Sequence, residues 1–125
     1  MKLNIQRVTT AFAAFVLLLS TAGCARLQSR DNLNKGVREY KQARYAEAVK
    51  FFQQAIELDP EFTTARLYLA TAYMSQWIPG ADSEENNQSA KAAEDNFKQV
   101  LERDPNDKLA IASIGSIYYN QKKFD

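Results

Sequence analysis

The strongest constraint on this 125-residue chain is that it repeats itself. Gly36, Ala70 and Gly115 occupy one position in three similar stretches, 34 and then 45 residues apart, and Pro60 and Pro105 are again 45 apart. Ala48-x3-Phe52-x2-Ala55-x4-Pro60 returns as Ala93-x3-Phe97-x2-Val100-x4-Pro105. Between these landmarks apolar and small residues recur three and four positions apart, as at Ala48, Phe52 and Ala55 and at Val49, Phe52 and Ile56. That is the spacing of a helix with one buried stripe. Asp59-Pro60 ends the first such stretch, because proline pushes the residue before it out of helical geometry. Self-similarity of this kind means a unit that cannot bury its own apolar face and stacks on copies of itself.

The residues between the landmarks are mostly Ala, Gln, Glu, Lys and Leu, which favour helix, and Pro60, Pro79 and Pro105 all fall where a helix would end. Helices are expected over about 30–43, 46–58, 63–77, 83–103 and 107–121, with a loop at 78–82. Asp82-Ser83-Glu84-Glu85 is a start signal, with Asp82 or Ser83 capping and acids in the first turn. The second spacing exceeds the first by 11 residues. This insertion is expected to lengthen one hairpin by about two turns, with Trp77-Ile78-Pro79-Gly80 making the bend.

Paired helices at a 34-residue period resemble the tetratricopeptide repeat family. The resemblance rests on Gly36, Tyr45, Ala48, Phe52, Ala55 and Pro60, on Leu69, Ala70, Tyr73, Ala93, Phe97 and Pro105, and on Ile114, Gly115, Tyr118 and Phe124. It implies an all-α solenoid of about two and a half helix-turn-helix repeats: about 29–62, 63–107 with the insertion, and an incomplete unit at 108–125. Gly or Ala would let the two helices of a hairpin approach closely, with Phe and Tyr rings beside the contact. Glu39 departs from the family, standing where an aromatic is usual, with Tyr40 next to it.

The N-terminal end has another character. Basic Lys2 and Arg7 precede an apolar run from Val8 to Leu19, and Ser20-Thr21-Ala22-Gly23-Cys24 follows. This is the layout of a bacterial export signal. The run is shorter than the roughly 20 residues of a spanning helix. Ala22-Gly23-Cys24 resembles a lipobox, which implies lipidation of Cys24 and cleavage just before it; Thr21 stands where that motif usually has Leu. Plain cleavage after Ala22 is the other reading. Cys24 is the chain's one cysteine and so has no partner for an internal disulfide, which favours lipidation. The expected organisation is a signal peptide at 1–23, a lipidated Cys24 and tether at 24–31, and the repeat domain at 32–125. Ala25, where Asp would retain a Gram-negative lipoprotein at the inner membrane, points to the periplasmic side of the outer membrane.

Removing residues 1–23 leaves fourteen basic and fifteen acidic residues, a side-chain charge of −1. That balance gives no footprint for nucleic acid. The chain has no histidine, no glycine-rich phosphate loop and no spaced cysteine set, so no catalytic residue, metal or cofactor is expected. Adjacent acids such as Glu84-Glu85 and Glu94-Asp95 face different ways on a helix.

In the family, the first helix of each repeat lines a concave face. Carrying that over puts Leu33, Val37, Tyr40 and Lys41 there, then Leu67, Tyr68, Thr71, Met74 and Ser75, and then Ala112, Ser113, Ser116, Tyr119 and Asn120. Of these, Tyr40, Lys41, Tyr68, Thr71, Met74, Tyr119 and Asn120 are the candidate contacts for a protein or peptide ligand, whereas Leu33, Val37 and Leu67 also suit contact with neighbouring helices. Leu33 and Val37 cannot donate side-chain hydrogen bonds, which argues against a clamp for chaperone tails. Trp77 and Ile78 form a second candidate surface unless, as preferred, Trp77 closes the core between the two long helices.

The expected function is a membrane-anchored scaffold for protein–protein interaction, by analogy with lipoproteins that assemble secretins, pili and outer-membrane proteins. The apolar last helix, with Ile111, Ile114, Ile117 and Tyr118, raises two further readings. One is a fragment, the docking module of a longer and even enzymatic protein. The other is a homo-oligomer joined through that helix.

Overall fold

The computed structural model describes residues 23–122. Among them five helices and no strands are found: α1 over 23–41, α2 Tyr45–Leu58, α3 Thr63–Gln76, α4 Glu84–Arg103 and α5 Lys108–Gln121. α2 packs on α3, α3 on α4 and α4 on α5. Residues 1–22, with nearly all of the expected signal peptide, and Phe124 lie outside the described residues.

Two apolar clusters hold the helices together. Ala48, Val49 and Phe52 of α2 meet Leu69 and Ala72 of α3, and Leu33, Val37 and Tyr40 of α1 close over them. Ala70 of α3 joins Trp77, then Ala90, Ala93, Phe97 and Val100 of α4, then Ala110 and Ile117 of α5. α3 is therefore buried on two sides, which its alanines at 65, 70 and 72 permit by letting neighbouring backbones approach.

The close approach expected at Gly36 is present. A Cβ built there would lie 2.4 Å from Cε1 of Phe52, so only glycine fits beneath that ring. Glu39, the departure from the family pattern, pairs with Arg44 across the turn at 2.5 Å, and neighbouring Tyr40 supplies the ring that packs on the cluster. The turn itself needs Ala43 in the left-handed region, at φ 58°.

α1 differs from expectation. It ends at residue 41 rather than 43 and is already helical at residue 23, so residues 24–31, expected as a tether, form a helix. Ser29 anchors this part: it is fully buried, and its hydroxyl donates to the Ala55 carbonyl of α2 at 2.7 Å.

The insertion is divided between helix and loop. α4 has 20 residues against 14 in α2, so six of the inserted residues extend that helix, a little under two turns. Most of the rest enlarge the connection at 77–83. Ser83, one of the two expected caps, accepts from the Asn86 amide at 3.2 Å.

Candidate functional site

The face expected to bind a partner is built from α1, α3 and α5. α1 and α3 are joined across it, because the Tyr40 hydroxyl and Ser75 Oγ lie 2.9 Å apart. Ser75 and Thr71 also donate to carbonyls one turn back in α3, those of Thr71 and Leu67. Tyr40 is half-buried, with its ring 5.2 Å from that of Tyr45. It serves the core as well as the face.

Tyr68 is the more accessible ring. It is 36% exposed and stacks on buried Phe52, centroids 5.5 Å apart and planes 28° from parallel. A ring backed by another ring is held in place and loses little freedom when a ligand covers it, the property of a binding anchor. Lys41 beside the end of α1 is exposed. Met74 is half-buried against the α3–α4–α5 cluster, as is Leu67, while Leu33 and Val37 pack on the other cluster.

Tyr119 and Asn120 are exposed near the end of α5. Asn120 Nδ2 donates to the Ser116 carbonyl at 2.8 Å. Its side chain also borders an open cleft of about 680 Å³ shared with Trp77, Asn87, Lys91 and Glu94. Asn120 thus stands beside the inserted loop, and the structure records no bond from it to α1 or α3.

Electrostatics at the rim are those of ordinary surface pairs. Glu94 accepts from Lys98 at 2.6 Å and from the Tyr118 hydroxyl at 2.9 Å. The hydrogen bond to Glu94 raises the Lys98 pKa above its usual value, and so does Tyr118. Burial raises the pKa of Tyr73, against the opposing hydrogen bond from Gln53. Both shifts keep these groups in their neutral-pH states, lysine charged and phenol protonated.

Trp77 is buried at 8% exposure and belongs to the α3–α4–α5 cluster, whereas Ile78 is 64% exposed. Trp77 therefore closes the core. What the sequence did not reveal is how the loop beside it is held. Buried Asn86 accepts from the Ile78 amide at 2.7 Å and donates to the carbonyls of Ile78 at 2.9 Å and Ala81 at 2.8 Å. One side-chain amide thus replaces three backbone partners. The only signal was an asparagine at the third position of a capped helix, a common residue in a common place.

Cys24 is exposed and helical, and its thiol is free. No described helix is long and apolar enough to cross a membrane.

No curated protein matches the chain. Residues 39–76, the end of α1 with all of α2 and α3, match the family model of the tetratricopeptide repeat. Within the match, Phe52 of α2 stacks on Tyr68 of α3. The described residues form an all-α arrangement of five helices, consistent with a helical repeat of the tetratricopeptide type, and residues 39–76 carry the match itself.

Proposed function

We propose that this protein is an interaction scaffold, anchored by a lipid on Cys24 to a membrane of the bacterial cell envelope, that receives a peptide or protein on the face of α1, α3 and α5. The observation that carries the binding role is Tyr68: an accessible ring, fixed from behind by Phe52, on the helix shared by both apolar clusters. Lys41, Thr71 and Tyr119 supply further polar groups on the three helices, and Asn120 borders the cleft at the inserted tip. The match of residues 39–76 supports the same role, since tetratricopeptide repeats are interaction modules. The anchor is supported by the sequence before Cys24 and by the exposure of that residue.

Two measurements test the two halves separately. A photo-crosslinking residue at Tyr68 or Lys41 is expected to capture a defined protein in cells, and the same residue at Glu57 of α2, exposed on another helix, is not. Equal capture at all three would remove the face from the proposal. Metabolic labelling with a fatty-acid analogue is expected to mark the chain and to be lost in Cys24→Ser, together with membrane partitioning. If partitioning survived that change, the anchor would be wrong.

A further inference from the structure

α1 runs unbroken over 23–41, so Cys24 is joined to the repeat domain by helix, without a slack tether. The helix is also fixed about its own axis. Ser29 and Gly36 are buried on one side of it, the first bonded to the Ala55 carbonyl and the second beneath the ring of Phe52. With 3.6 residues per turn, Cys24, Leu27, Arg30, Asn34 and Arg38 fall away from that side. All five are exposed, Leu27 at 69%. The residue proposed to carry the lipid thus begins an outward stripe, which extends about 21 Å along the helix from Cys24 to Arg38.

Charge says what this side fits. Residues 23–41 hold five basic and two acidic residues, a charge of +3, whereas residues 42–125 hold nine basic and thirteen acidic, a charge of −4. Both acids of α1 are engaged, Asp31 with Lys35 at 2.7 Å and Glu39 with Arg44 at 2.5 Å. Arg26, Arg30 and Arg38 are exposed and have no ion pair among the described residues. A merely solvated end of a repeat array needs polar residues but no particular sign of charge. Unpaired arginines beside a bare leucine, on the side of Cys24, are the composition that adsorbs to an anionic lipid surface. An arginine stem lies along the apolar boundary while its guanidinium reaches phosphate oxygens.

We propose that the side of α1 bearing Leu27, Arg30 and Arg38 lies against the anionic phospholipid headgroups of the membrane that holds Cys24, and so keeps the repeat domain in one orientation on that membrane. This rests on the lipid anchor proposed above. Leu27 enters the acyl boundary beside the lipid, and Arg30 and Arg38 meet phosphates farther along the helix. The contact is distinct from the face of Tyr68, to which α1 gives only Tyr40 and Lys41 at its other end.

The test uses the full chain, expressed with its own N-terminal sequence and reconstituted into vesicles. Cys24 is the one cysteine, so once it is acylated an introduced cysteine is the only free thiol. A fluorophore is attached at Asn34→Cys on the proposed side or at Glu57→Cys on α2, both exposed positions, and quenching by acrylamide reads access from water. In vesicles of phosphatidylglycerol and phosphatidylethanolamine, quenching at residue 34 is expected to be several-fold weaker than at residue 57. This protection should be lost in phosphatidylcholine vesicles and in about 1 M salt, where the screening length is about 3 Å. It should also be lost when Arg30→Gln and Arg38→Gln are combined, while partitioning into the vesicles persists through the acyl chains. Both arginines are exposed and unpaired, so the fold is retained. Three outcomes overturn the proposal. Equal quenching at the two positions would show that the domain stands off the membrane, leaving the anchor intact. Protection at residue 34 that survives phosphatidylcholine and high salt would show that headgroup charge has no part in the contact. A chain that does not partition at all would remove the anchor, and this contact with it.

Discussion

The ring of Phe52 lies on Gly36 so closely that a Cβ at residue 36 would be 2.4 Å from Cε1 and 2.6 Å from Cδ1. The equivalent Gly115 has open space around it. The same substitution at these two positions therefore has opposite signs. Gly36→Ala gains up to about 1 kcal/mol of helix propensity but overpacks a buried contact at about 1–3 kcal/mol, and it should lower stability. Gly115→Ala meets no opposing contact and should raise stability by up to about 1 kcal/mol. Urea denaturation of the two variants measures the difference, and a stabilised Gly36→Ala would contradict the close approach.

The loop at the inserted tip depends on one side chain. Asn86→Ala removes three hydrogen bonds to Ile78 and Ala81. The expected cost is about 1–3 kcal/mol. Hydrogen exchange at the Ile78 amide should accelerate far more than exchange in α2. Unchanged exchange there would mean that the loop is held by something other than Asn86.

Ser29 reports on whether residues 24–31 are docked. Its buried hydroxyl donates to the Ala55 carbonyl, a bond worth about 1 kcal/mol. Ser29→Ala should loosen amide protection across 24–31 before it affects α4 or α5. A free tether would show no protection in this stretch, in either protein.

Acid should weaken the surface pairs. Hydrogen bonds from Arg103 hold Glu61 below its usual pKa, and Arg44 does the same for Glu39. For a carboxylate whose folded pKa is depressed, the contribution is present above its unfolded pKa and is lost as pH falls through the folded value. Tm should therefore fall as pH is lowered below the ordinary glutamate range. Arg103→Gln should reduce that fall while changing little at neutral pH, because both partners of the pair are exposed. A Tm independent of pH over this range would remove both pairs from the account.

Much of the fold was legible in the sequence. The helix ends at Pro60 and Pro105, the cap at Ser83, the close approach at Gly36 and the core role of Trp77 each follow from local chemistry or from the repeat. Of the binding face, residue types and phase were legible but exposure was not. Tyr40 and Tyr68 look alike in sequence, yet one is tied to Ser75 and the core while the other lies open over Phe52. Asn120 shares the expected phase but borders the cleft at the inserted tip.

The sequence by itself determined the periodicity, and with it the all-α class, the pairing of helices and the positions that carry small residues and rings. These are properties of residue order, since a 3.6-residue helix brings the same positions to the same side in every unit. Tertiary structure alone decided how closely the helices of a pair approach. Phe52 of α2 comes so near Gly36 that a Cβ there would lie 2.4 Å from its ring. It also decided that residues 24–31 are helical, where no apolar stripe announces a helix, because Ser29 finds its partner 26 residues away on α2. Contacts between distant segments are set by how helices stack, and no local pattern encodes them.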